Sequence, residues 1–102
     1  MSKNKNLDDT FILAVKYHKN NNLKIAENLY NEILKNDPNY TKAHNSMGIM
    51  MFGLGNHQKA IDHFEKIIQI NPTHAEAHNN LGLVFQTIGE LQKAVSYFEK
   101  VI

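Results

Sequence analysis

The chain has 102 residues, with 11 lysines, no arginine and 10 acidic residues, which give a formal net charge of +1. This length fits one small domain. The absence of cysteine excludes a disulfide scaffold, a thiolate metal site and a cysteine nucleophile. A net charge near zero gives no electrostatic reason to expect a nucleic acid or an anionic membrane as partner. Because no apolar run approaches the roughly 18 residues of a membrane span, we expect a cytoplasmic protein.

An internal repeat of 34 residues organises the chain. Pro38 and Pro72 lie 34 residues apart, and the overlay of residues 41–68 on residues 75–102 gives 12 identical pairs out of 28. The preceding residues fall into the same frame with weaker identity, so the chain contains about three copies of one unit. The predicted single domain spans residues 7–102, with repeats at 7–40, 41–74 and 75–102, the last incomplete, after a polar tail over residues 1–6.

Each copy predicts two helices joined by a tight turn. In the middle copy His44, Met47 and Met51 share one face of a first helix, and Ala60 and Phe64 begin the apolar stripe of a second. A column of residues that tolerate the left-handed backbone lies between the two helices and comprises Asn21, Gly55 and Gly89. The predicted helices are residues 8–19, 23–35, 41–53, 57–69, 75–87 and 91–102.

Helix ends are also marked in the sequence. Proline is disfavoured inside a helix, so Pro38 and Pro72 should follow the ends of the second helices. Thr73 and Glu76 have the spacing of a capping box and predict the start of the next helix.

The repeat resembles the tetratricopeptide family, whose pattern places large and small residues at fixed positions over 34 residues. The pattern appears as Thr10, Leu13, Ala14, Tyr17, Ala26, Tyr30 and Pro38, then His44, Met47, Gly48, Met51, Ala60, Phe64 and Pro72, then His78, Leu81, Gly82, Phe85, Ala94 and Phe98. The resemblance implies an all-α fold in which three antiparallel helix pairs form a right-handed superhelical array. It also implies that the first helices line a concave, ligand-binding surface.

Catalytic and metal-binding arrangements are not apparent. None of the three serines lies in a glycine-rich loop or a strained turn, and no phosphate-binding loop is present, so we expect no enzyme activity and no cofactor. His74 and His78 have the spacing of a chelating pair, but His78 occupies the half-buried column of His44. We therefore expect a structural role for this pair and no bound metal.

The helix face opposite the core is the candidate binding surface. Apolar side chains that the core does not need are typical of an interface. We expect a non-catalytic scaffold that binds a protein or peptide ligand, with side-chain amides available to the ligand backbone. The candidate apolar contacts are Phe11, Val15, Ile49, Phe52 and Leu83, and the candidate amides are Asn45, Asn79 and Asn80.

The resemblance includes co-chaperone modules that hold the acidic C-terminal tail of a heat-shock chaperone with lysine, arginine and asparagine side chains. The matching positions here are Phe11, Val15, Ser46, Glu76 and Asn80. No cation remains there to pair a carboxylate, and Glu76 would repel one. We therefore expect the chain not to bind such a tail.

Two rival interpretations remain open. The last predicted helix carries an apolar arc that includes Leu91, Val95 and Ile102, and the printed chain supplies no helix to cover it. This arc favours self-association, with a homodimer as one outcome. Alternatively, the repeats are the recognition arm of a longer bacterial enzyme such as a transferase, which the coding sequence beyond Ile102 would reveal.

Overall fold

The computed structural model describes residues 6–102, so residues 1–5 of the predicted polar tail lie outside the described residues. The described part contains six α-helices and no β-strand, as the sequence predicts. The helices are α1 (Leu7–Lys19), α2 (Leu23–Asn36), α3 (Thr41–Gly53), α4 (His57–Ile70), α5 (Ala75–Thr87) and α6 (Leu91–Glu99). Within residues 6–102, none of these helices combines the length and the apolar character needed to cross a membrane.

The chain divides into two compact units, the first ending at Ala43 and the second running from His44 to Ile102. The boundary falls within α3. The single domain over residues 7–102 stays a prediction.

The first unit is built on the packing of α1 against α2. Ala14 and Ala26 are fully buried, which allows the two helix backbones to approach closely. Tyr30 and Ile33 of α2 are also fully buried. The side chain of Asn6 caps α1 by accepting hydrogen bonds from the first turn of the helix. The small residues that the repeat pattern aligns therefore form the helix contact.

The second unit contains the contacts of α4 with α5 and of α5 with α6. Phe64 of α4 is 1% exposed, and its ring lies directly against the backbone of Gly48 in α3. The ring of Phe98 in α6 lies in the same way against Gly82 in α5. In both pairs a Cβ atom on the glycine would overlap the ring, which explains why the pattern pairs a glycine with an aromatic residue.

The turn column adopts the backbone conformation that the sequence predicts. Asn21, Gly55 and Gly89 have φ values of 64°, 81° and 87°, and Asn21 is the one non-glycine residue with positive φ in the described part of the chain. Asparagine is among the few residues that enter this region readily. One backbone conformation therefore ends α1, α3 and α5.

Two local predictions differ from the structure. The N-cap of α5 is His74, whose Nδ1 accepts from the backbone N–H of Ala77 at 3.1 Å, so the capping box predicted from Thr73 is wrong. The hydroxyl of Thr73 instead donates to Asn71 at 3.1 Å. The sequence also extends α6 to residue 102, whereas the helix ends at Glu99. After Glu99 the backbone N–H groups of Lys100 and Val101 donate to the carbonyl oxygens of Tyr97 and Phe98, three residues earlier. This tighter 3₁₀-type pattern is common at the end of an α-helix.

Candidate functional site

In α3 and α5, the first helices of the second and third repeats, the buried and the exposed residues lie on the faces that the repeat pattern predicts. In α5, His78, Leu81 and Phe85 are buried, while Asn79 and Leu83 are exposed. In α3, Met47 and Met51 are buried, whereas Ile49 is 44% exposed. Leu83, at the equivalent position of α5, is 41% exposed. These exposed side chains are therefore not part of the core. We define the α3–α5 surface by six residues that are not buried: Asn45, Ile49, Glu76, Asn79, Asn80 and Leu83.

Two of the predicted amides hydrogen bond to each other. Asn80 Nδ2 donates to Asn45 Oδ1 at 3.1 Å, and Asn45 Nδ2 donates to Glu76 Oε2 at 3.0 Å. Both asparagines are half-buried, and Glu76 is exposed. This three-residue ladder crosses from α5 to α3 and back to α5. It links two of the predicted amides to Glu76, which the sequence places on the same surface without predicting these hydrogen bonds.

The position of Glu76 can be understood from the repeat. Glu76 and Asn80 are four residues apart and so lie one turn apart on the same face of α5. Both face Asn45, which occupies the column of Asn79 one repeat earlier. The 34-residue repeat aligns Asn45 with Asn79 and does not indicate that Asn45 hydrogen bonds to Glu76 and Asn80.

Phe52, another predicted apolar contact, lies at the end of α3 and is half-buried. Its ring contacts that of His57 at the start of α4, with 5.6 Å between centroids. Phe52 is thus partly engaged by the first residue of α4.

In the first unit, the predicted contacts Phe11 and Val15 are half-buried. The ring of Phe11 lies 6.0 Å from that of Tyr30 and 5.8 Å from that of Tyr40, measured between centroids. Phe11 therefore packs largely within its own unit. Ile12 is 65% exposed and is the more accessible apolar side chain of α1.

Tyr40 also connects α1 to the segment after α2. Its hydroxyl donates a hydrogen bond to the carboxylate of Asp8. Burial and this hydrogen bond raise the pKa of Tyr40 to about 12. The phenol therefore stays protonated and keeps donating throughout the neutral range.

The histidines that suggest a chelating pair are engaged in structural hydrogen bonds. His78 is 3% exposed, and its Nε2 lies 2.7 Å from the carbonyl oxygen of Pro72, to which it donates. His74 uses Nδ1 to cap α5. Among the described residues, no group of three or more potential metal-binding side chains occurs.

A second histidine contact joins α3 to α4. Nδ1 of His44 lies 3.1 Å from Nδ1 of His63. Burial lowers the pKa of His63, and the neighbouring His44 lowers it further. The carboxylate of Asp62 raises this pKa, and the ammonium of Lys59 lowers it. A neutral His63 therefore suits this partly buried contact.

The outer face of α6 is exposed. Leu91 is 61% exposed and Val95 is 53% exposed, and both line a depression of about 370 Å³ with Gln92, Ser96 and Glu99. By contrast Ile61, which occupies the position of Val95 one repeat earlier, is 7% exposed. Ile102, the third predicted self-association residue, lies beyond the end of α6 and is fully exposed.

Comparison with solved structures supports the repeat architecture. A crystal structure of MamA matches with 26% identity and a TM-score of 0.88, covering 93% of this chain and 56% of that one. A second MamA crystal structure matches with 26% identity and a TM-score of 0.86, covering 93% and 52%. The chain therefore spans about half the length of these structures.

The second tetratricopeptide domain of Spaghetti (RPAP3), bound to the HSP90 peptide SRMEEVD, matches with a TM-score of 0.86. It covers 95% of this chain and 90% of the Spaghetti domain, with 14% identity. A comparison with curated protein sequences finds no significant match. The family model of the tetratricopeptide repeat matches residues 39–102, well over half of the chain. The buried motif columns, the positive-φ turns and this match establish that the chain belongs to the tetratricopeptide repeat family.

Proposed function

We propose that the chain is a non-catalytic protein-interaction module that binds an extended or helical peptide on the α3–α5 surface. One observation carries the proposal: Ile49 and Leu83 are large apolar side chains left exposed beside a polar ladder that no core contact requires. Apolar contact area with a few convergent polar groups is typical of a peptide site. A cytoplasmic location stays a prediction.

Tetratricopeptide relatives support the proposal at the level of the fold. The Spaghetti domain is bound to a peptide. Its backbone is similar to that of this chain, but at 14% identity its ligand contacts cannot be carried over to this chain. The ligand class therefore has to come from the side chains of this chain. Phe11, Val15, Phe52 and Asn79 stay predicted contacts alongside the ladder.

A random dodecapeptide library displayed on phage tests the proposal. Peptides selected on the wild-type protein are synthesised and titrated against Leu83→Asp and against Leu91→Asp, which places the same charge on the exposed face of α6. Because contact with a partly buried leucine contributes on the order of 1.5 kcal/mol, we expect Leu83→Asp to weaken binding about tenfold. Binding that is lost with Leu91→Asp instead, or no selected peptide, would contradict the proposal.

Self-association through α6 is the second candidate function. The exposure of Leu91 and Val95 favours it, because burying such side chains contributes about 1.5–3 kcal/mol each. A two-fold pairing of α6 would bury the same face on both chains. Sedimentation of the wild type beside Val95→Glu tests this, with Ile12→Glu as a control at an exposed apolar position of α1. A monomeric wild type, or a dimer indifferent to Val95→Glu, would rule the candidate out.

The third interpretation, a recognition arm of a longer enzyme, stays a prediction. It is compatible with the main proposal, because a recognition arm also binds its target through the surface of its repeats.

A further inference from the structure

The ladder on the α3–α5 surface has a fixed hydrogen-bond direction. A carboxylate only accepts, so Asn45 must present its amide NH₂ group to Glu76. This orientation turns the carbonyl oxygen of Asn45 toward Asn80, which must then donate. Every donor in the ladder therefore points toward the carboxylate. The acceptors left for a ligand are the carbonyl oxygen of Asn80 and the second oxygen of Glu76, and each asparagine also keeps one N–H.

Glu76 is the one charged residue among the six that define the α3–α5 surface. Within the second unit, residues 44–53 of α3 and residues 75–87 of α5 contain no other Asp, Glu, Lys or Arg, and Lys42 of α3 belongs to the first unit. Glu76 is exposed, and no lysine in the part of the chain that the structure describes forms an ion pair with it. The negative charge is therefore available to an incoming group.

Resting on the proposed function, we propose that the α3–α5 surface selects a basic peptide, with a lysine or arginine on Glu76 and an adjacent apolar side chain on Ile49 and Leu83. A guanidinium or ammonium group supplies only donors, which matches the free oxygen of Glu76 and the carbonyl oxygen of Asn80. An acidic peptide would place like charge against Glu76.

The remaining amide hydrogens fit the same ligand. Asn45 and Asn80 each keep one N–H that the ladder does not use. These hydrogens can donate to backbone carbonyls of the peptide, while the carbonyl oxygen of Asn80 can accept from a backbone N–H. The amides of Asn45 and Asn80 therefore bind the peptide backbone, and the carboxylate of Glu76 selects a basic side chain of the peptide.

The dodecapeptide selection is repeated on Glu76→Gln and on Glu65→Gln, an isosteric control that removes the same charge from an exposed position of α4. We expect lysine and arginine to be enriched in peptides selected by the wild type and by Glu65→Gln, and the enrichment to disappear with Glu76→Gln. For one synthesised peptide, replacing its basic residue with glutamine should weaken binding to the wild type about 1.5- to fivefold, as for an exposed ion pair. The same replacement should leave binding to Glu76→Gln unchanged.

The outcomes separate this inference from the proposed function. Selected peptides without a basic preference, or a preference that survives Glu76→Gln, overturn the inference while peptide binding stands. Failure of the wild type to select any peptide overturns both.

Discussion

Replacing Gly48 with alanine tests the close helix contact at the centre of the second unit. The added Cβ would lie 2.5 Å from Cε1, 2.6 Å from Cζ and 2.8 Å from Cδ1 of Phe64. Phe64 is 1% exposed, so its ring has no solvent-facing position to move into. Either the ring leaves its preferred rotamer or α3 and α4 move apart.

The expected cost follows from two opposing effects. Overpacking a buried contact costs about 1–3 kcal/mol, and alanine regains roughly 1 kcal/mol of helix propensity relative to glycine. We therefore expect Gly48→Ala to lower the free energy of unfolding by up to about 2 kcal/mol, with a fall in Tm of several degrees for each kcal/mol lost in a domain of this size. Thermal and urea unfolding followed by circular dichroism measure both quantities.

Gly53 provides the matched control in the same helix. A Cβ there would meet nothing within 4 Å, so Gly53→Ala should be neutral or slightly stabilising. Combining Gly48→Ala with Phe64→Leu should cost less than the sum of the two single changes, because the smaller side chain makes room for the methyl group. Equal stability of Gly48→Ala and Gly53→Ala would refute the reasoning.

Three further predictions concern charge and binding. His63→Tyr, which copies the pairing of Tyr97 with a histidine one repeat later, should reduce the loss of stability in acid. Because the pKa of His63 is lowered in the folded state, the unfolded chain takes up the proton first as the pH falls. The stability contributed by neutral His63 is therefore present above about pH 6.5 and is lost as the pH falls through the lowered pKa. Urea unfolding of the wild type and of His63→Tyr at several pH values measures this loss, and the same pH dependence in both proteins would contradict the prediction. A peptide ending in Glu-Glu-Val-Asp should show no saturable binding, because Glu76 repels its carboxylates, and micromolar affinity in calorimetry would overturn this expectation. Asn80→Ala should weaken a selected peptide by about 0.5–3 kcal/mol with little dependence on salt, whereas Asn79→Ala, outside the ladder, should weaken it less.

Much of the fold could be predicted because the repeat imposes the same steric requirement three times. The residue at Asn21, Gly55 and Gly89 has to enter the left-handed region, and only a few residue types do so readily. Gly48 has to admit an aromatic ring at its Cα. Such requirements act on single positions, so they appear in the sequence as residue types at fixed spacing.

The binding surface was less predictable because its side chains have several possible partners. The sequence identifies Asn45 and Asn80 as exposed amides, whereas the structure joins them to each other and to Glu76. Cap geometry is similarly ambiguous, since both Thr73 and His74 can accept from a helix start, and backbone conformation decides in favour of His74. Hydrogen bonds between side chains depend on rotamers and on neighbouring helices, which residue spacing does not encode.

The most direct test of peptide binding on the α3–α5 surface is an amide NMR titration with one selected peptide. The side-chain NH₂ signals of Asn45 and Asn80 report on the ladder itself, and the backbone signal of Val95 reports on the exposed face of α6. We expect saturable shifts of both asparagine side chains with Val95 unchanged. Shifts confined to α6, with the ladder signals unmoved, would contradict the account.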